Sequence, residues 1–298
     1  MENAPSGSFV ERKIDVTPSF ELTSPKVSKE FIRTLFEIEK SCSGKPDTVS
    51  LISEQEMRII SLFDEGEEDE NALRMRLRQK TFERLENTDL SKEERIEALS
   101  DRHFLNSIFD KVDSWRNPLT GLYNRKGFVE VMKLVTDYPK VIFGPNYEQI
   151  DNKGFSIMMM DLDHFKAVND ALGHPAGDRA LKEFAGAITR VVRPTDICVH
   201  YGGEEMFILA LGADQNDASI VDARISERLK QVKIKEGDME RTIEYSAGVD
   251  NGKTWDDIRK ITDSDVPMDI LPNFVSNADK ALYKAKELGR NQMVIFEY

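Results

Sequence analysis

Residues 199–207 have the sequence Val-His-Tyr-Gly-Gly-Glu-Glu-Met-Phe, which places two carboxylates, Glu204 and Glu205, directly after a pair of glycines. An apolar run, residues 206–211, follows the carboxylates. Glycines permit the backbone conformations of a tight turn, and apolar runs on both sides of such a turn are typical of paired strands. The pattern therefore predicts a β-hairpin with two acids at its tip, where their mutual repulsion favours a bound cation.

A second pair of acids, Asp161 and Asp163, follows another apolar run, residues 155–160. Neighbouring strands lie about 4.8 Å apart, and two-metal phosphoryl-transfer sites hold their ions roughly 3.5–4 Å apart. If the two runs pair, Asp161 and Glu204 are close enough to bind the same ions. Mg²⁺ takes few protein carboxylates, which leaves room for substrate phosphates. A solvated acidic turn is the alternative for a lone Glu-Glu pair, but the repeated arrangement favours a magnesium site for nucleotide chemistry.

The composition is that of a protein with a core and little affinity for polyanions. With 298 residues, 40% of them hydrophobic, the chain is long enough for one large domain or two ordinary ones. Its net charge of −13 argues against binding to DNA, RNA or an anionic membrane, so a nucleotide site needs its own local Lys and Arg. The two cysteines, Cys42 and Cys198, are too few for a disulfide framework. With neither a signal segment nor an apolar run of roughly 18 residues, a cytoplasmic protein without membrane insertion is expected.

Three regions differ in their patterning. Residues 1–25 mix proline, serine and charge without a period, and we expect a flexible segment. Over residues 26–116, apolar side chains recur at spacings of three and four, and Ser91 and Glu94 form a capping-box pattern, which predicts a helical domain. Strands and helices alternate over residues 117–298, which predicts an α/β domain.

Seven short motifs occur in the second half of the chain. They are NPLTGLYNR (117–125), DLDHFK (161–166), ND (169–170), GHPAGD (173–178), GGEEM (202–206), SAG (246–248) and the stretch from AD (278–279) to GRN (289–291). Through these motifs, in this order, the chain from about residue 117 to 297 resembles the GGDEF family of diguanylate cyclases. The resemblance implies a central, mainly antiparallel sheet flanked by helices, an α/β (α+β) fold similar to a polymerase palm. It also implies the condensation of two GTP into cyclic di-GMP, with release of two pyrophosphates.

The resemblance assigns the acids to a metal site. Asp161 and Glu204 match the family's metal-binding carboxylates. The backbone carbonyl of Leu162 is implied as a further ligand, and Glu205 as a ligand of the second ion. The implied cofactor is Mg²⁺, with Mn²⁺ as the alternative. Glu204 is also the candidate general base, because a ribose 3′-hydroxyl must lose its proton when it attacks an α-phosphorus. For Asp163 a simpler role competes, which is to cap the helix that follows it.

The family positions that bind guanine are occupied by Asn169 and Asp178. An aspartate accepts hydrogen bonds from the N1–H and the exocyclic amine of guanine, a pair of donors that adenine lacks, so the site would reject ATP. The alternative for Asp178 is the N-cap of a helix over residues 179–190. His174 is implied to lie near the base or the ribose, with a packed loop histidine as its alternative.

Three basic residues match the family's triphosphate contacts and would supply the local positive charge that an acidic chain needs. Lys286 and Arg290 are four residues apart, so they face the same way on a helix. Lys166 lies beside the metal-binding carboxylates as the third contact.

A product-inhibition site is implied by Arg193 and Asp196, which precede the Gly-Gly pair in the register of the family's inhibitory motif. In the family these positions bind the guanine bases of a cyclic di-GMP dimer, assisted by an arginine from the following helix. We assign that role to Arg228, with Arg224 as the alternative, because the planar guanidinium matches base edges and phosphates. A surface ion pair is the other interpretation of this short pattern.

Three positions depart from the common family pattern. Asn117 stands in place of an Asp, His200 in place of an Arg, and Met206 in place of a Phe. None of them is a metal ligand in the resemblance, so they bear on the level of activity rather than on its existence.

Two classes of function fit these observations. Each family domain binds one GTP, so an enzyme would act as a homodimer, which residues 26–116 are expected to form and regulate. A catalytically silent member that senses cyclic di-GMP or acts as a scaffold is the alternative. The intact metal, guanine and phosphate positions favour the enzyme.

Overall fold

A computed structural model describes residues 23, 28–43, 46–63, 70–143, 154–213, 215–264 and 267–298. The segment predicted to be flexible, residues 1–25, lies outside the described residues except for Thr23. Within the described ranges, no helix combines the length and the apolar character needed to cross a membrane.

The N-terminal part of the described chain is helical, as the sequence predicts. Its helices are α1 (Lys29–Ser43), α2 (Pro46–Ile60), α3 (Glu70–Glu86) and α4 (Lys92–Trp115). The predicted capping box forms at the start of α4: the Ser91 side chain accepts a hydrogen bond from Glu94 N, and the Glu94 carboxylate accepts one from Ser91 N. Strands begin only after α4, although the exact extent of the domains stays a prediction.

The rest of the chain forms a five-stranded sheet and a small separate hairpin. The strands are β1 (Phe155–Leu162), β2 (Ile197–Gly202), β3 (Glu205–Leu211), β4 (Lys233–Glu236), β5 (Met239–Thr242), β6 (Tyr245–Lys253) and β7 (Met293–Ile295). The order in the large sheet is β2-β3-β1-β6-β7, and only the β6–β7 pairing is parallel. The predicted fold, a central and mainly antiparallel sheet flanked by helices, is confirmed.

Helices cover both faces of this sheet. They are α5 (Arg125–Asp137), α6 (Pro139–Phe143), α7 (Phe165–Leu172), α8 (His174–Thr189), α9 (Gln215–Leu229), α10 (Trp255–Thr262) and α11 (Pro267–Glu287). Successive strand side chains point to opposite faces. In β1, Ile157 and Met159 therefore pack with α5, α10 and α11, while Met158 and Met160 pack with α7, α8 and α9. Burial on both faces explains why β1 is a continuous apolar run.

One apolar cluster joins the N-terminal helices to the sheet. The Phe31 ring of α1 packs edge-on against Trp115 at the end of α4, with ring centres 6.5 Å apart. Both side chains belong to the same buried cluster as Phe128 of α5 and Phe207 of β3. Because packed interiors transmit displacement, the end of α4 cannot shift without disturbing α5.

Asp101 connects three of the N-terminal helices. Its buried carboxylate on α4 accepts hydrogen bonds from Arg58 Nε of α2 at 3.1 Å and from Arg84 Nη1 of α3 at 3.0 Å. Without this carboxylate, the two guanidinium groups would keep the more distant Glu97 carboxylate, at 3.7 and 4.0 Å. Asp101 is therefore a stabilising contact of the helical region.

We expect Asp101→Ala to lower the free energy of unfolding by about 2 kcal/mol, because it leaves two arginines poorly paired while they stay partly solvated. Urea unfolding measures this change. Asp110→Ala, at an exposed position on the same helix, is the control and should change the free energy by less than about 0.5 kcal/mol. Equal effects of the two substitutions would contradict the assignment.

Candidate functional site

The tip of the β2–β3 hairpin meets the end of β1, as the sequence predicts. The register pairs Asp161 with Glu205, and Gly203 turns the chain with φ of +55°. Directly opposed residues of an antiparallel pair project to the same face. The carboxyl opposite Asp161 is therefore that of Glu205, and Glu204 lies one residue farther out in the turn.

The acids at this sheet end repel one another. Burial raises the pKa of Asp161, although Lys286 Nζ lies 2.8 Å from its Oδ1 and opposes the change; the nearby Glu204 adds to it. Burial also raises the pKa of Glu205, and Asp161 and Asp279 raise it further. The cluster thus holds more negative charge than Lys286 neutralises, which is the electrostatic condition for attracting a cation.

The donor set fits Mg²⁺ held jointly by protein and nucleotide. Among the residues that the structure describes, no group of three or more His, Cys, Asp or Glu side chains already converges on a metal position. A phosphoryl-transfer site does not require such a group, because Mg²⁺ takes one or two carboxylates and completes its shell with water and phosphates. Asp161 and Glu205 provide hard oxygen atoms on one face, with charge that a divalent ion would relieve.

Asp163 has a structural role. Its buried carboxylate accepts hydrogen bonds from Ser246 Oγ at 2.9 and 3.0 Å and from Asn291 N at 2.8 Å. The interpretation of Asp163 as a helix cap is wrong, because α7 begins at Phe165 and the residue at its cap position is His164, in the left-handed conformation. Asp163 instead joins β1 to β6 and to the segment after α11.

The two predicted guanine-binding residues lie on adjacent helices. Asn169 is half-buried on α7, and Asp178 is exposed on α8. Gly177, next to Asp178, allows α8 to pack closely against the Asn169 side chain of α7, since a Cβ at position 177 would overlap the Asn169 side-chain amide. The interpretation of Asp178 as an N-cap is wrong, because α8 begins at His174 with Gly173 as its cap residue.

Two of the three predicted phosphate contacts, Lys286 and Arg290, lie beside the acids. Lys286, on the last turn of α11, forms the ion pair with Asp161. The prediction that Lys286 and Arg290 share one helix face is wrong, because α11 ends at Glu287 and Arg290 lies beyond it with φ of +66°. The Arg290 Nε is 4.0 Å from Asp163 Oδ1. Lys166 and His174 are exposed on α7 and at the start of α8.

A cavity of about 70 Å³ lies against the sheet beside the predicted inhibitory motif. Its polar lining includes Arg193, Asp196, Asp217 and Arg224. Arg228 is exposed one helical turn beyond Arg224 and does not line the cavity. The geometry therefore favours Arg224, the alternative assignment, as the assisting arginine.

Within this motif, the two charged residues have different surroundings. Arg193 Nη2 donates to Asp217 Oδ1 at 2.7 Å, at the partly exposed rim. Asp196 is only 2% exposed; its Oδ2 accepts a hydrogen bond from Arg193 N at 2.8 Å. Burial raises the pKa of Asp196 to about 6. The Arg-x-x-Asp pattern is therefore not a simple surface ion pair between its own two side chains.

Two residues beside the acids were not assigned from the sequence. Arg125, at the start of α5, donates from Nε to Tyr201 O at 2.7 Å, and its guanidinium lies 4.0 Å from the centre of the Tyr201 ring. Asp279, on α11, adds to the effect of Asp161 in raising the pKa of Glu205. Both residues belong to the motifs that carry the family resemblance, and that membership was the signal available in the sequence.

A family model matches the part of the chain that carries the site. The family model described as "Diguanylate cyclase, GGDEF domain" matches residues 114–292. The chain is 31% identical over 182 residues to the probable diguanylate cyclase DgcT of Escherichia coli; the aligned region is 60% of this chain and 35% of DgcT. It is 30% identical over 223 residues to the cyclic di-GMP phosphodiesterase NbdA of Pseudomonas aeruginosa; here the aligned region is 69% of this chain and 25% of NbdA. The chain thus spans between a quarter and about a third of the length of these curated relatives.

Two solved structures are also similar. The diguanylate cyclase SiaD of Pseudomonas aeruginosa, solved in complex with its activator SiaC, is 25% identical, with a TM-score of 0.49 over 89% of this chain and 96% of that chain. The GGDEF domain of DgcB from Caulobacter crescentus, solved in complex with cyclic di-GMP, is 24% identical, with a TM-score of 0.46 over 62% and 94%. Every site residue described above lies within residues 114–292, the range that the family model matches.

Proposed function

Since the chain belongs to the GGDEF family of diguanylate cyclases, we propose that it condenses two GTP into cyclic di-GMP and releases two pyrophosphates. The observation that carries this proposal is the pairing of Asp161 with Glu205 at the ends of adjacent strands, with Glu204 beside them in the turn. The raised pKa of both paired carboxyls supports a site built for a cation and a polyphosphate.

In the proposed reaction, Glu204 accepts the proton of a ribose 3′-hydroxyl as that oxygen attacks the α-phosphorus of the other GTP. Glu204 is partly exposed at the hairpin tip, where a nucleotide on a facing domain can reach it. Mg²⁺ bound by Asp161, the Leu162 carbonyl and the two glutamates would make this hydroxyl more acidic and neutralise the leaving pyrophosphate.

Lys286 has two successive partners in this proposal. Without nucleotide it neutralises Asp161 through the 2.8 Å ion pair, and its side chain is 31% exposed. With GTP bound, the ammonium group can turn toward the triphosphate, together with Arg290 and Lys166. Three local cations offset the repulsion that the chain's net charge of −13 exerts on a nucleotide.

We assign guanine recognition to Asn169 and Asp178. Their helices are adjacent, so one base can contact both side chains. A carboxylate that is left without the N1–H and amine donors of guanine penalises adenine, which makes GTP the substrate in preference to ATP.

The active form is proposed to be a homodimer, because each domain binds one GTP and the product joins two. The N-terminal helices are the proposed dimerisation and regulatory element. Their shared core with α5, a direct neighbour of the sheet, supports a mechanical connection to the site.

Product inhibition is proposed at the cavity beside Arg193 and Asp196. Arg193 offers a guanidinium at the rim, Asp196 a buried carboxylate, and Arg224 a second guanidinium in the lining. Guanine edges carry both donors and acceptors that match such a set.

A catalytically silent sensor is the second candidate function. The same cavity supports it, because cyclic di-GMP could bind there without any turnover at the acids. Binding and turnover must therefore be measured separately.

The test is incubation of the purified chain with GTP and Mg²⁺, followed by chromatography of the nucleotides. We expect cyclic di-GMP and pyrophosphate to accumulate with GTP, to be absent with ATP, and to be absent for Glu204→Gln. Binding of cyclic di-GMP without turnover of GTP would favour the sensor. If the chain neither turns over GTP nor binds cyclic di-GMP, both proposals are overturned.

Gly177→Ala is expected to weaken GTP binding, because the added Cβ displaces the Asn169 amide. We expect the KM for GTP to rise roughly tenfold while kcat changes by less than about threefold, as when a binding contact is lost without a change at the reacting atoms. Steady-state kinetics measures both values.

Gly186→Ala is the matched control on the same helix. A Cβ at Gly186 would meet no atom of the described residues within 4 Å, so this substitution should leave KM unchanged and add up to about 1 kcal/mol of stability through helix propensity. A Gly177→Ala variant with unchanged KM would contradict the role of Asn169 in binding the base.

A further inference from the structure

The His200 imidazole contacts the hairpin turn that follows it and a second turn whose residue Thr120 lies 80 residues earlier in the chain. His200 lies near the end of β2 and is only 7% exposed. Its Nε2 is 3.0 Å from Gly203 O, in the hairpin turn, and its Nδ1 is 3.2 Å from Thr120 Oγ1, in the turn between α4 and α5. Both ring nitrogens are therefore engaged, and neither contacts a residue assigned to the reaction.

These contacts fix the tautomer of the ring. A carbonyl oxygen can only accept a hydrogen bond, so Nε2 carries the proton and donates it to Gly203 O. In the neutral ring Nδ1 is then an acceptor, and the Thr120 hydroxyl donates to it. Burial lowers the pKa of His200, which is consistent with a neutral imidazole at this position.

On the other side of the ring, the Thr120 turn is tied to the end of α4. Asn117 Oδ1 accepts hydrogen bonds from Leu119 N at 2.9 Å and Thr120 N at 3.1 Å. The Asn124 side chain closes the same turn by donating to the Ser114 and Arg116 carbonyls at 2.9 and 3.1 Å. Thr120 is thus held in a fixed position relative to the last turn of α4.

The contact with Gly203 bears directly on the catalytic acid. The Gly203 carbonyl and the Glu204 N–H belong to one planar peptide unit. Gly203 itself has φ of +55°, and a Cβ there would meet no atom of the described residues within 4 Å, so no described side chain packs against this side of the glycine. A hydrogen bond to Gly203 O restrains the rotation of this plane and with it the direction of the Glu204 side chain.

We propose that His200 is a positioning residue that connects the turn after α4 to the Gly203–Glu204 peptide. Two of the departures from the family pattern, Asn117 and His200, meet at Thr120, where they form an uncharged chain of hydrogen bonds. This role rests on the proposed diguanylate cyclase function, because it acts through Glu204. It connects the turn that follows the N-terminal helices to the hairpin that carries the acids.

The kinetic test removes one hydrogen bond without changing shape. Thr120→Val deletes the hydroxyl that donates to His200, and Thr120→Ser is the matched control that keeps it. For Thr120→Val we expect kcat to fall roughly five- to tenfold and the Mg²⁺ concentration for half-maximal turnover to rise, with KM for GTP within about twofold. Thr120→Ser should behave as the unmodified chain. Unchanged kcat and Mg²⁺ dependence in Thr120→Val, or equal losses in both variants, would overturn the proposal.

A second measurement does not depend on turnover. Hydrogen exchange of the backbone amides over residues 202–205 reports the mobility of the hairpin turn in the protein without nucleotide. We expect Thr120→Val to exchange severalfold faster there than Thr120→Ser, with similar exchange in the β1 strand. Equal exchange in the two variants would overturn the positioning role. If the unmodified chain makes no cyclic di-GMP, the exchange result still decides this inference separately from the proposed function.

Discussion

We expect Asp161→Ala to lower the turnover of GTP to cyclic di-GMP by at least about 10²–10³-fold. The substitution removes a proposed ligand of the Mg²⁺ that would neutralise the reacting phosphates. The fold should not suffer. Burial raises the pKa of Asp161, so its ionised carboxylate is less stable in the folded protein than in the unfolded chain. We therefore expect a Tm that is unchanged or higher, measured by thermal unfolding beside the nucleotide assay.

Asp163→Ala is the matched comparison from the same motif. It removes the acceptor of hydrogen bonds from Ser246 Oγ and Asn291 N, which leaves the buried Ser246 hydroxyl and the Asn291 amide without this partner. We expect the free energy of unfolding to fall by about 2–3 kcal/mol, while turnover at a temperature where the variant is folded stays within about tenfold. If Asp163→Ala lost turnover as completely as Asp161→Ala without a loss of stability, our division of roles between the two acids would be wrong.

Features with a local cause could be predicted from the sequence. The hairpin at Gly202 and Gly203, the apolar strand before Asp161 and the capping box at Ser91 each depend on residues within a few positions. The fold class followed from the order of such elements together with the family motifs. The site residues that lie at the ends of these elements could be named for the same reason.

Features that depend on distant partners could not be predicted. The register that sets Glu205 opposite Asp161 is one such case, since a shift of one residue reverses every side chain. The partners of Asp163 are 83 and 128 residues away, and those of His200 include a hydroxyl 80 residues away. The alternative role of Asp178 as an N-cap was wrong for a local reason: proline is favoured at the first positions of a helix, and Pro175 lies at the start of α8, ahead of Asp178.

We expect Asp196→Asn to raise the free energy of unfolding and to weaken inhibition by cyclic di-GMP. The Asp196 carboxylate is buried, and among the described residues its Oδ1 has no hydrogen-bond partner. Burial raises its pKa from 3.8 to about 6, so the folded protein binds this proton more tightly than the unfolded chain. The stability that the protonated Asp196 carboxyl contributes is thus fully present below about pH 4 and is lost as the pH rises through about 6. At pH 8 the folded state carries the full cost of a buried charge.

An asparagine removes this cost and keeps an oxygen to accept the hydrogen bond from Arg193 N. We expect Asp196→Asn to raise the free energy of unfolding by about 2–3 kcal/mol at pH 8, with the difference from the unmodified chain disappearing near pH 4. Urea unfolding at a series of pH values measures both limits. A constant difference at every pH would show that the carboxyl does not titrate as described.

The retention of a costly carboxylate at Asp196 requires a benefit elsewhere, and the proposed one is binding of the product. If the ionised group accepts hydrogen bonds from guanine at the cavity, Asp196→Asn should weaken inhibition by cyclic di-GMP at least about tenfold, because charge-assisted hydrogen bonds are the strong ones. Asp217→Asn is the control: it frees Arg193 from its 2.7 Å ion pair and should leave inhibition equal or stronger. A gain in stability for Asp196→Asn with unchanged inhibition would mean that this carboxylate has some other function.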